Sequence, residues 1–313
     1  MRHQRHFALL IATIGVLVGC LSLSGANAQA KRMANTLPDL SGLAWVDGDS
    51  FLAVHDSKNP DENERPRVSM LWLPNSPDGL TWKSLELDWP QPLGLSSDLE
   101  SAARIPGSQS FLLVESGERR EQGQQFRRIF LAECRDHELQ IVSFTEMPTS
   151  VENIEGTAVA KIVERLIFIF AERAEGQLNT NISWTDLQLQ PLKLGAFEQI
   201  TFRPVDFTGP NIRPVSAIET DNLGRLYVAS AFDPGDDNGP FRSVIWRAGQ
   251  VKLDKNNKVR IVLDAKPYRL ATLDGLKVES LAIREPADGK IELFAGTDDE
   301  NYGGTLRLIP LQP

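Results

Sequence analysis

The chain of 313 residues carries 33 Lys and Arg against 42 Asp and Glu, which gives a formal net charge of −9 at pH 7. An acidic chain is a poor match for nucleic acid or an anionic membrane surface, because both reward clusters of Lys and Arg. Cations or cationic ligands suit this charge better.

Residues 1–28 are typical of a secretory signal peptide. The basic start MRHQRH has no acid, the run FALLIATIGVLVGCLSLSG is apolar, and the small residues ANA end the segment at a cleavage site. An uncleaved membrane anchor is an alternative. The sequence LVGC also resembles the lipobox of bacterial lipoproteins, which makes a lipid anchor at Cys20 the alternative to a soluble periplasmic or secreted protein.

Removal of the leader takes away Arg2 and Arg5 but no acid, so the net charge becomes −11. No later apolar run approaches the about 20 residues of a membrane span. Cys134 then stands without a second cysteine, so no disulfide framework is expected. We expect residues 29–313 to form a single domain and the protein to be a monomer.

Five stretches of the remaining chain share one pattern: a short entry, small residues, a turn, and an apolar run that ends in an acid or a hydroxyl. Four of their turns, VDGDS, IPGSQS, TDNLG and PADGK, have the residues of hairpins. The third positions are spaced by 59, 55, 61 and 63 residues. They fall at Ser41, Glu100, Glu155, Ser216 and Glu279.

The segment 153–173, NIEGTAVAKIVERLIFIFAER, is the least obvious of the five. Its Ala, Lys, Glu and Leu content is compatible with a helix, and its turn lacks Gly and Pro. By analogy with the other units we predict two antiparallel strands here. The start of the first strand then lies beside the end of the second, which brings Glu155 close to Glu172.

Each hairpin is followed by a third apolar run, and in four units by a fourth. Four strands in about 60 residues are typical of a β-propeller blade. We therefore predict an all-β, five-bladed propeller of four-stranded antiparallel blades. Residues 29–36 would supply the missing outer strand of the last blade and close the ring. A six-bladed propeller and an irregular β-sandwich are the alternatives.

Radial symmetry predicts that the hairpin acids meet at one rim of the central channel. Several carboxylates in a small space need protons or a cation, although a glutamate there can also simply accept backbone N–H bonds. Oxygen ligands without clustered His or Cys favour calcium over magnesium. The predicted metal ligands are Glu100, Glu155, Glu279, Asp56, Glu115, Glu172 and Asp298.

The loops between the second and third strands are expected to add further charged residues to the same rim. Asp233 and Asp237 belong to a weak calcium-loop pattern, DPGDDNG, which lacks the complete EF-hand spacing. Arg67, Arg127 and Arg242 precede third strands, where they either pair with acids or bind an anion. His55 is the candidate imidazole base near the rim. His55 and Glu155 are therefore the candidate catalytic residues.

The motifs LSGLAW…FLAVHDS, DLESAA…FLLVES, NIEGTAVA…AER and KVESLAI…GTDDEN resemble the phytase-like family of exported bacterial propellers, whose domain is described as the esterase-like activity of phytase. The chain is also similar to the SdiA-regulated periplasmic propellers. The resemblance covers nearly all of 37–313 and implies a calcium-associated propeller. By position, it places the family's acidic rim on Glu100, Glu155 and Glu279, with Asp56, Glu115, Glu172 and Asp298 behind.

The chain departs from this family where serines stand at positions 41 and 216, and it lacks the Asp-Asp-Pro-Ala run of true propeller phytases.

Two functions are compatible with these features of the sequence. One is a calcium-dependent hydrolase of a phosphoester, ester or lactone, acting on a small anionic substrate. The other is a non-catalytic binding protein of the cell envelope with a structural cation. Serine-hydrolase and nucleotide-binding motifs are absent from the sequence.

Overall fold

The computed structural model describes residues 37–58, 66–74, 79–121, 123–148, 150–151, 153–286 and 289–311. These residues form five antiparallel sheets arranged as a five-bladed β-propeller. The prediction of five blades is thereby confirmed, and the six-bladed and sandwich alternatives are wrong. The leader, Cys20 and the proposed closing strand 29–36 lie outside the described residues.

Each sheet begins with a strand that lies nearest the central axis, and blades 1 to 5 are numbered in the chain order of these strands. These innermost strands are β1 (Gly42–Asp47), β5 (Leu99–Arg104), β11 (Ile154–Ile162), β16 (Ile212–Thr220) and β20 (Val278–Arg284). They contact one another in the closed order β1, β5, β11, β16, β20 and back to β1. This cycle is the ring, and it brings residues about 60 positions apart to a common axis.

Hairpins connect each innermost strand to a second strand, and a third strand pairs with the second. The second strands are β2 (Ser50–Val54), β6 (Ser110–Glu115), β12 (Arg165–Glu172), β17 (Arg225–Phe232) and β21 (Glu292–Thr297). The third strands are β3 (Val68–Trp72), β9 (Arg128–Arg135), β13 (Thr180–Leu189), β18 (Arg242–Leu253) and β22 (Leu306–Ile309).

The outer strands differ between blades. They are β4 (Thr81–Ser84), β10 (Glu138–Glu146), β14 (Leu192–Leu194) with β15 (Glu198–Phe202), and β19 (Val259–Asp274). The fifth sheet has three strands within the described part of the chain. A small ribbon joins β7 (Arg120–Glu121) to β8 (Gln124–Gln125), and a single 3₁₀ turn covers Glu300–Tyr302. No helix in the described ranges is long and apolar enough to cross a membrane.

The ring closes where the first described residues meet the last blade. The backbone N–H of Leu40 donates to the carbonyl of Thr297 at 2.9 Å, and that of Gly304 donates to Leu37 at 2.8 Å. The Ser280 hydroxyl donates to the Leu40 carbonyl at 2.7 Å. The N-terminal side of the domain is therefore hydrogen-bonded to blade 5.

Apolar side chains fill the spaces between neighbouring blades. Five hydrophobic clusters correspond to the five interfaces around the ring. Phe111 and Phe130 pack between blades 1 and 2, while Phe168 and Phe170 pack between blades 2 and 3. Each such side chain contributes roughly 1.5–3 kcal/mol by leaving water. The burial of these apolar side chains therefore stabilises the contacts between neighbouring blades.

Small residues let the innermost strands approach closely. A Cβ atom on Gly42 would lie 2.5 Å from the backbone nitrogen of Ala102, and one on Gly156 would lie 2.8 Å from that of Ile218. Real Cβ atoms essentially never make contacts this short. The glycine after the third position of blades 1 and 3 is thus required by the narrow ring.

The segment 153–173 forms the predicted hairpin, in which Ile154 pairs with Glu172 and Ile162 with Arg165. Its turn contains Val163 at φ 58°, the left-handed region that β-branched residues seldom adopt. This explains why turn residues alone did not identify the hairpin: packing of the two apolar strands fixes a turn that its local sequence disfavours.

Candidate functional site

Three glutamates occupy the same irregularity in three innermost strands. Glu100 is skipped in the pairing of β5 with β6, Glu155 in that of β11 with β12, and Glu279 in that of β20 with β21. A β-bulge leaves such a residue unpaired and redirects its side chain. The three strands begin at the same end of the axis, and the three carboxylates interact electrostatically. We call this end the acidic mouth.

The tightest acidic group at this mouth consists of Asp56, Asp98 and Glu100, with one oxygen from each within 4.8 Å of the others. Asp98 has φ 63°, which Asp tolerates better than most residues. Its backbone N–H donates to Ser57 at 3.2 Å, and its carboxylate accepts the Ser116 hydroxyl. The residues that follow β2 and precede β5 thus fix a carboxylate cluster between two blades.

Within the described residues, Lys58 pairs with two carboxylates of this cluster. Its Nζ lies 3.2 Å from Oδ1 of Asp98 and 3.5 Å from Oδ2 of Asp56, and its side chain is 46% exposed. Burial lowers the pKa of Lys58, but the charges of Asp98, Glu100 and Asp56 outweigh it and raise the pKa above its ordinary value. One positive charge therefore faces three carboxylates.

The carboxylates of the cluster are difficult to ionise together. Burial raises the pKa of Glu100 well above its ordinary value, and the charges of Asp98, Glu155 and Asp56 raise it further. Burial also raises the pKa of Asp56, although Lys58 opposes this effect. A proton or an additional cation is required to neutralise such a group.

Arg213 neutralises a second part of the mouth. Its side chain is 6% exposed, and its Nη1 lies 2.5 Å from Oε1 of Glu279 and 3.5 Å from Oε2 of Glu155. Its Nη2 lies 2.8 Å from Oδ2 of Asp233. A guanidinium from blade 4 thus joins carboxylates of blades 3, 4 and 5.

Lys277 completes this second group. Its Nζ lies 3.3 Å from Asp298 and 3.4 Å from Glu279, and it also contacts Glu300. Burial alone would raise the pKa of Glu279, but Lys277 and Arg213 lower it to about 2. The pKa of Asp298 is raised by burial and then by Glu279. Glu279 is therefore ionised at neutral pH.

Glu155 lies between the two groups. Its Oε1 lies 2.9 Å from Nε of Arg173, and its Oε2 lies 3.5 Å from Nη1 of Arg213. Burial nevertheless raises its pKa, because the attraction of Arg213 and Arg173 does not fully offset desolvation. The described ion pairs of the mouth join eight carboxylates to four cations, and Glu100 adds a further carboxylate. The acidic mouth therefore carries an excess of negative charge.

The remaining predicted metal ligands, Glu115 and Glu172, are not members of the group formed by Asp56, Asp98 and Glu100. Glu115 is fully buried, and it accepts the Ser96 hydroxyl at 3.0 Å, the Ser97 N–H at 3.2 Å and the Arg128 guanidinium at 2.7 Å. The structure does not bring its carboxylate into the cluster. Glu172 is partly exposed and stands opposite Ile154, next to the bulge at Glu155, as the hairpin predicts.

The two serines at third positions behave differently. The Ser216 hydroxyl donates to the Val278 carbonyl of the next blade at 2.7 Å. The Ser41 hydroxyl is 1% exposed and has no hydrogen-bond partner in the described part of the chain. Ser41 occupies the position in blade 1 that Glu100 occupies in blade 2, so a buried oxygen without a partner stands beside the cluster.

His55 is buried, with 4% of its surface exposed. Its Nδ1 lies 2.6 Å from the Asp39 carbonyl, and its Nε2 lies 2.8 Å from the Ser69 hydroxyl. Both ring nitrogens are thus engaged within blade 1 and its N-terminal approach. This position gives no support to the sequence-based prediction of His55 as a catalytic base.

The predicted anion-binding arginines have partners in or near their own blades. Arg67 donates to the Ser96 carbonyl at 2.5 Å. Arg127 lies 2.6 Å from the Glu146 carboxylate, and Arg242 lies 3.0 Å from that of Asp274. Of the two predicted loop acids, Asp233 belongs to the acidic mouth through Arg213, whereas the side chain of Asp237 is exposed.

Sequence analysis missed Lys58, Asp98, Arg213 and Lys277 as members of the site. A signal for two of them was present: Asp98 stands two residues before Glu100, and Lys277 two residues before Glu279. Arg213 stands three residues before Ser216. In blades 2 and 5 the polar residue that opens the unit therefore belongs to the mouth, as does the third position.

Comparisons with known proteins give the fold and not the activity. No family model matches the chain, and no curated protein matches it by sequence. An exo-1,5-α-L-arabinanase from a bovine ruminal metagenomic library aligns at a TM-score of 0.50 and 12% identity, covering 88% of this chain and 93% of that one. An endo-1,4-β-xylanase from Bacteroides thetaiotaomicron aligns at 0.50 and 11% identity, covering 88% and 90%.

A third solved structure, a periplasmic gluconolactonase from Pseudomonas aeruginosa, aligns at a TM-score of 0.38 and 13% identity, covering 82% of this chain and 81% of that one. At identities this low, the two structures with a TM-score of 0.50 support the propeller fold alone. A fold alone does not determine a function, which depends on the residues of the acidic mouth.

Proposed function

We propose that the protein is a propeller hydrolase that binds calcium at Asp56, Asp98 and Glu100 and cleaves an ester or phosphoester bond at the acidic mouth. The observation that supports this most directly is the approach of three carboxylate oxygens to within 4.8 Å of one another across two blades. Magnesium is the less suitable ion, because it demands a near-ideal octahedron, which three carboxylates from two different blades are poorly suited to supply.

The donor set fits a hard cation. All three side chains offer oxygen, and the Ser41 hydroxyl is a further buried oxygen without a partner in the described residues. Glu100 has a raised pKa in the absence of a cation, as expected for a carboxylate that needs a positive neighbour. Lys58 has to move aside for the ion, and its partly exposed side chain permits this.

A bound calcium ion would polarise the scissile group or acidify a water. The chain's own contribution is positioning and proton transfer. Arg173 is 27% exposed and lies at the edge of the mouth, where its guanidinium can orient an anionic substrate. Glu155, whose pKa burial raises, is placed beside it as the proton acceptor. Glu279 stays ionised and holds Arg213 in place.

A non-catalytic envelope protein with a structural cation is the second candidate. It is favoured by the position of His55, whose two nitrogens are engaged, and by Arg213 and Lys277, which already neutralise part of the acids. The phytase-like assignment, export through residues 1–28, and a lipid anchor at Cys20 are further proposals that rest on the sequence.

Hydrolysis of p-nitrophenyl phosphate, p-nitrophenyl acetate and a simple lactone by metal-stripped protein, with and without calcium, separates the two functions. If the protein is a hydrolase, we expect turnover that is restored by calcium. The Glu155→Gln variant should abolish this turnover, whereas the variant at the exposed residue, Glu138→Gln, should leave it unchanged. Absence of turnover together with a calcium-dependent rise in melting temperature would support the binding protein instead.

A further inference from the structure

The opposite end of the central axis holds a second cavity. It has a volume of about 440 Å³, within the usual range of about 300–1,000 Å³ for ligand pockets. In every blade, the residue four positions after the third position of the repeat unit lines this cavity. These residues are Trp45, Arg104, Val159, Thr220 and Ile283. The cavity therefore lies where the strands end, and we call it the distal mouth.

One side chain of this mouth breaks the repeat. The residue directly before each of these five lining residues is alanine in four blades. These buried alanines are Ala44, Ala103, Ala158 and Ala282. Blade 4 has Glu219 at this position, and its carboxylate lines the cavity. The ring accommodates a methyl group at this position in the other blades, so packing does not explain a glutamate here.

Charges of both signs line the distal mouth. Arg104 and Lys161 come from blades 2 and 3, while Glu219 and Glu285 come from blade 4 and the end of blade 5. Arg104 lies over the Trp45 ring, 4.4 Å from its centroid, and donates to the Ser108 carbonyl at 3.2 Å. The indole and this hydrogen bond fix the guanidinium on its side of the cavity.

The two glutamates have no cation of their own. Glu219 accepts the backbone N–H of Thr220 at 2.7 Å, and Glu285 accepts that of Asn222 at 3.0 Å. No ion pair is formed by either carboxylate, or by Arg104, among the residues that the structure describes. Burial and then the charge of Glu285 raise the pKa of Glu219 to about 8. Arg104 attracts both carboxylates from a distance without pairing with either of them.

We propose that the distal mouth binds a small zwitterion, an apolar α-amino acid or dipeptide, with its ammonium group at Glu219 and Glu285 and its carboxylate at Arg104 and Lys161. Two positive side chains from blades 2 and 3 and two negative ones from blades 4 and 5 match a ligand that carries both charges. The Lys161 ammonium, half exposed and 3.7 Å from the exposed Glu164 carboxylate, can turn from that pair to the ligand. Trp45, Val159 and Ile283 supply the apolar surface for its side chain. Asp221 does not take part, because Arg225 and Tyr227 already bind its carboxylate.

Calorimetric titration at pH 7 with leucine, phenylalanine and the dipeptide Leu-Leu tests the proposal. N-acetyl-leucine lacks the ammonium group and leucinamide lacks the carboxylate, so both are expected to bind at least about tenfold more weakly than the best zwitterion, as for a lost charged hydrogen bond. Glu219→Ala is expected to weaken the zwitterion by a similar factor. It should fold, because alanine is the residue of the other four blades.

Exposed Glu138→Gln is the matched control and should bind as the wild type does. Arg104→Gln is the second variant, and it should weaken the zwitterion but leave the weak binding of leucinamide unchanged. The proposal is overturned if none of the three zwitterions binds at millimolar concentration, if either analogue binds as tightly as the best zwitterion, or if folded Glu219→Ala retains full affinity. None of these results depends on calcium or hydrolysis at the acidic mouth.

Discussion

Nη1 of Arg213 lies 2.5 Å from Oε1 of Glu279, so the buried guanidinium of blade 4 neutralises the bulged carboxylate of blade 5. The same guanidinium reaches Glu155 and Asp233. The acidic mouth is therefore compensated from within on the side of blades 3 to 5, and the excess of negative charge is left on the side of Asp56, Asp98 and Glu100.

Replacing Arg213 by Met should destabilise the protein by about 3–5 kcal/mol, because it leaves buried carboxylates without their partner. Urea unfolding of both proteins at pH 7 measures this difference. Arg242→Met is the matched control: its ion pair with Asp274 is exposed, and we expect a change within about 0.5 kcal/mol. Equal effects of the two substitutions would contradict the central role of Arg213.

Replacing Lys58 by Met should tighten calcium binding. Its Nζ occupies the space between Asp98 and Asp56, and its removal takes away a positive charge that competes with the ion. We expect an increase in affinity of about tenfold, measured by titration of metal-stripped protein. Lys193→Met, at an exposed position of β14, should have no effect. Weaker binding by Lys58→Met would show that the ammonium group helps the site.

The stability of the protein should fall as the pH rises from about 4.5 to about 8, because Glu219 has its pKa raised to about 8 in the folded state. The folded state then holds this proton more tightly than the unfolded state, so the stabilising contribution is complete below pH 4.5 and lost as the pH approaches 8. The loss due to Glu219 between these two pH values is about 4 kcal/mol.

Urea unfolding at several pH values should show this loss in the wild type and a smaller one in Glu219→Ala, which has no group to titrate. Other groups titrate in both proteins and cancel in the difference. An identical pH dependence of the two proteins would mean that Glu219 is ionised as easily in the folded state as in water.

Replacing Gly156 by Ala should destabilise the ring by about 1–3 kcal/mol or more, since the added Cβ would lie 2.8 Å from the backbone of Ile218 in the adjacent innermost strand. Thermal unfolding measures the effect. A melting temperature equal to that of the wild type would show that neighbouring innermost strands have room to separate.

The repeat in the sequence was sufficient to predict the blades and the meeting of Glu100, Glu155 and Glu279, because equal positions in equal units reach the same rim. It was insufficient for Arg213 and Lys277, which lie outside the aligned third positions and whose direction depends on the backbone at the strand entry. Asp98 adopts φ 63°, which no pattern in the sequence indicates.

Predictions for individual loop residues were the least reliable, for a physical reason. His55 and Glu115 stand at strand ends that alternation places near the rim. His55 instead forms hydrogen bonds with the Asp39 carbonyl and the Ser69 hydroxyl, and Glu115 accepts hydrogen bonds from Ser97 and Arg128, so both side chains lie within the blades. These partners are 13 to 18 residues away or come from the N-terminal segment. Such contacts emerge only when the fold is known.

The most direct test of the central claim is a calorimetric titration of metal-stripped protein with calcium, beside Asp98→Asn and exposed Glu138→Gln. The account predicts one calcium ion per chain for the wild type and for Glu138→Gln, and at least about tenfold weaker binding for Asp98→Asn. Absence of calcium binding at millimolar concentration, or undiminished binding by folded Asp98→Asn, would contradict it.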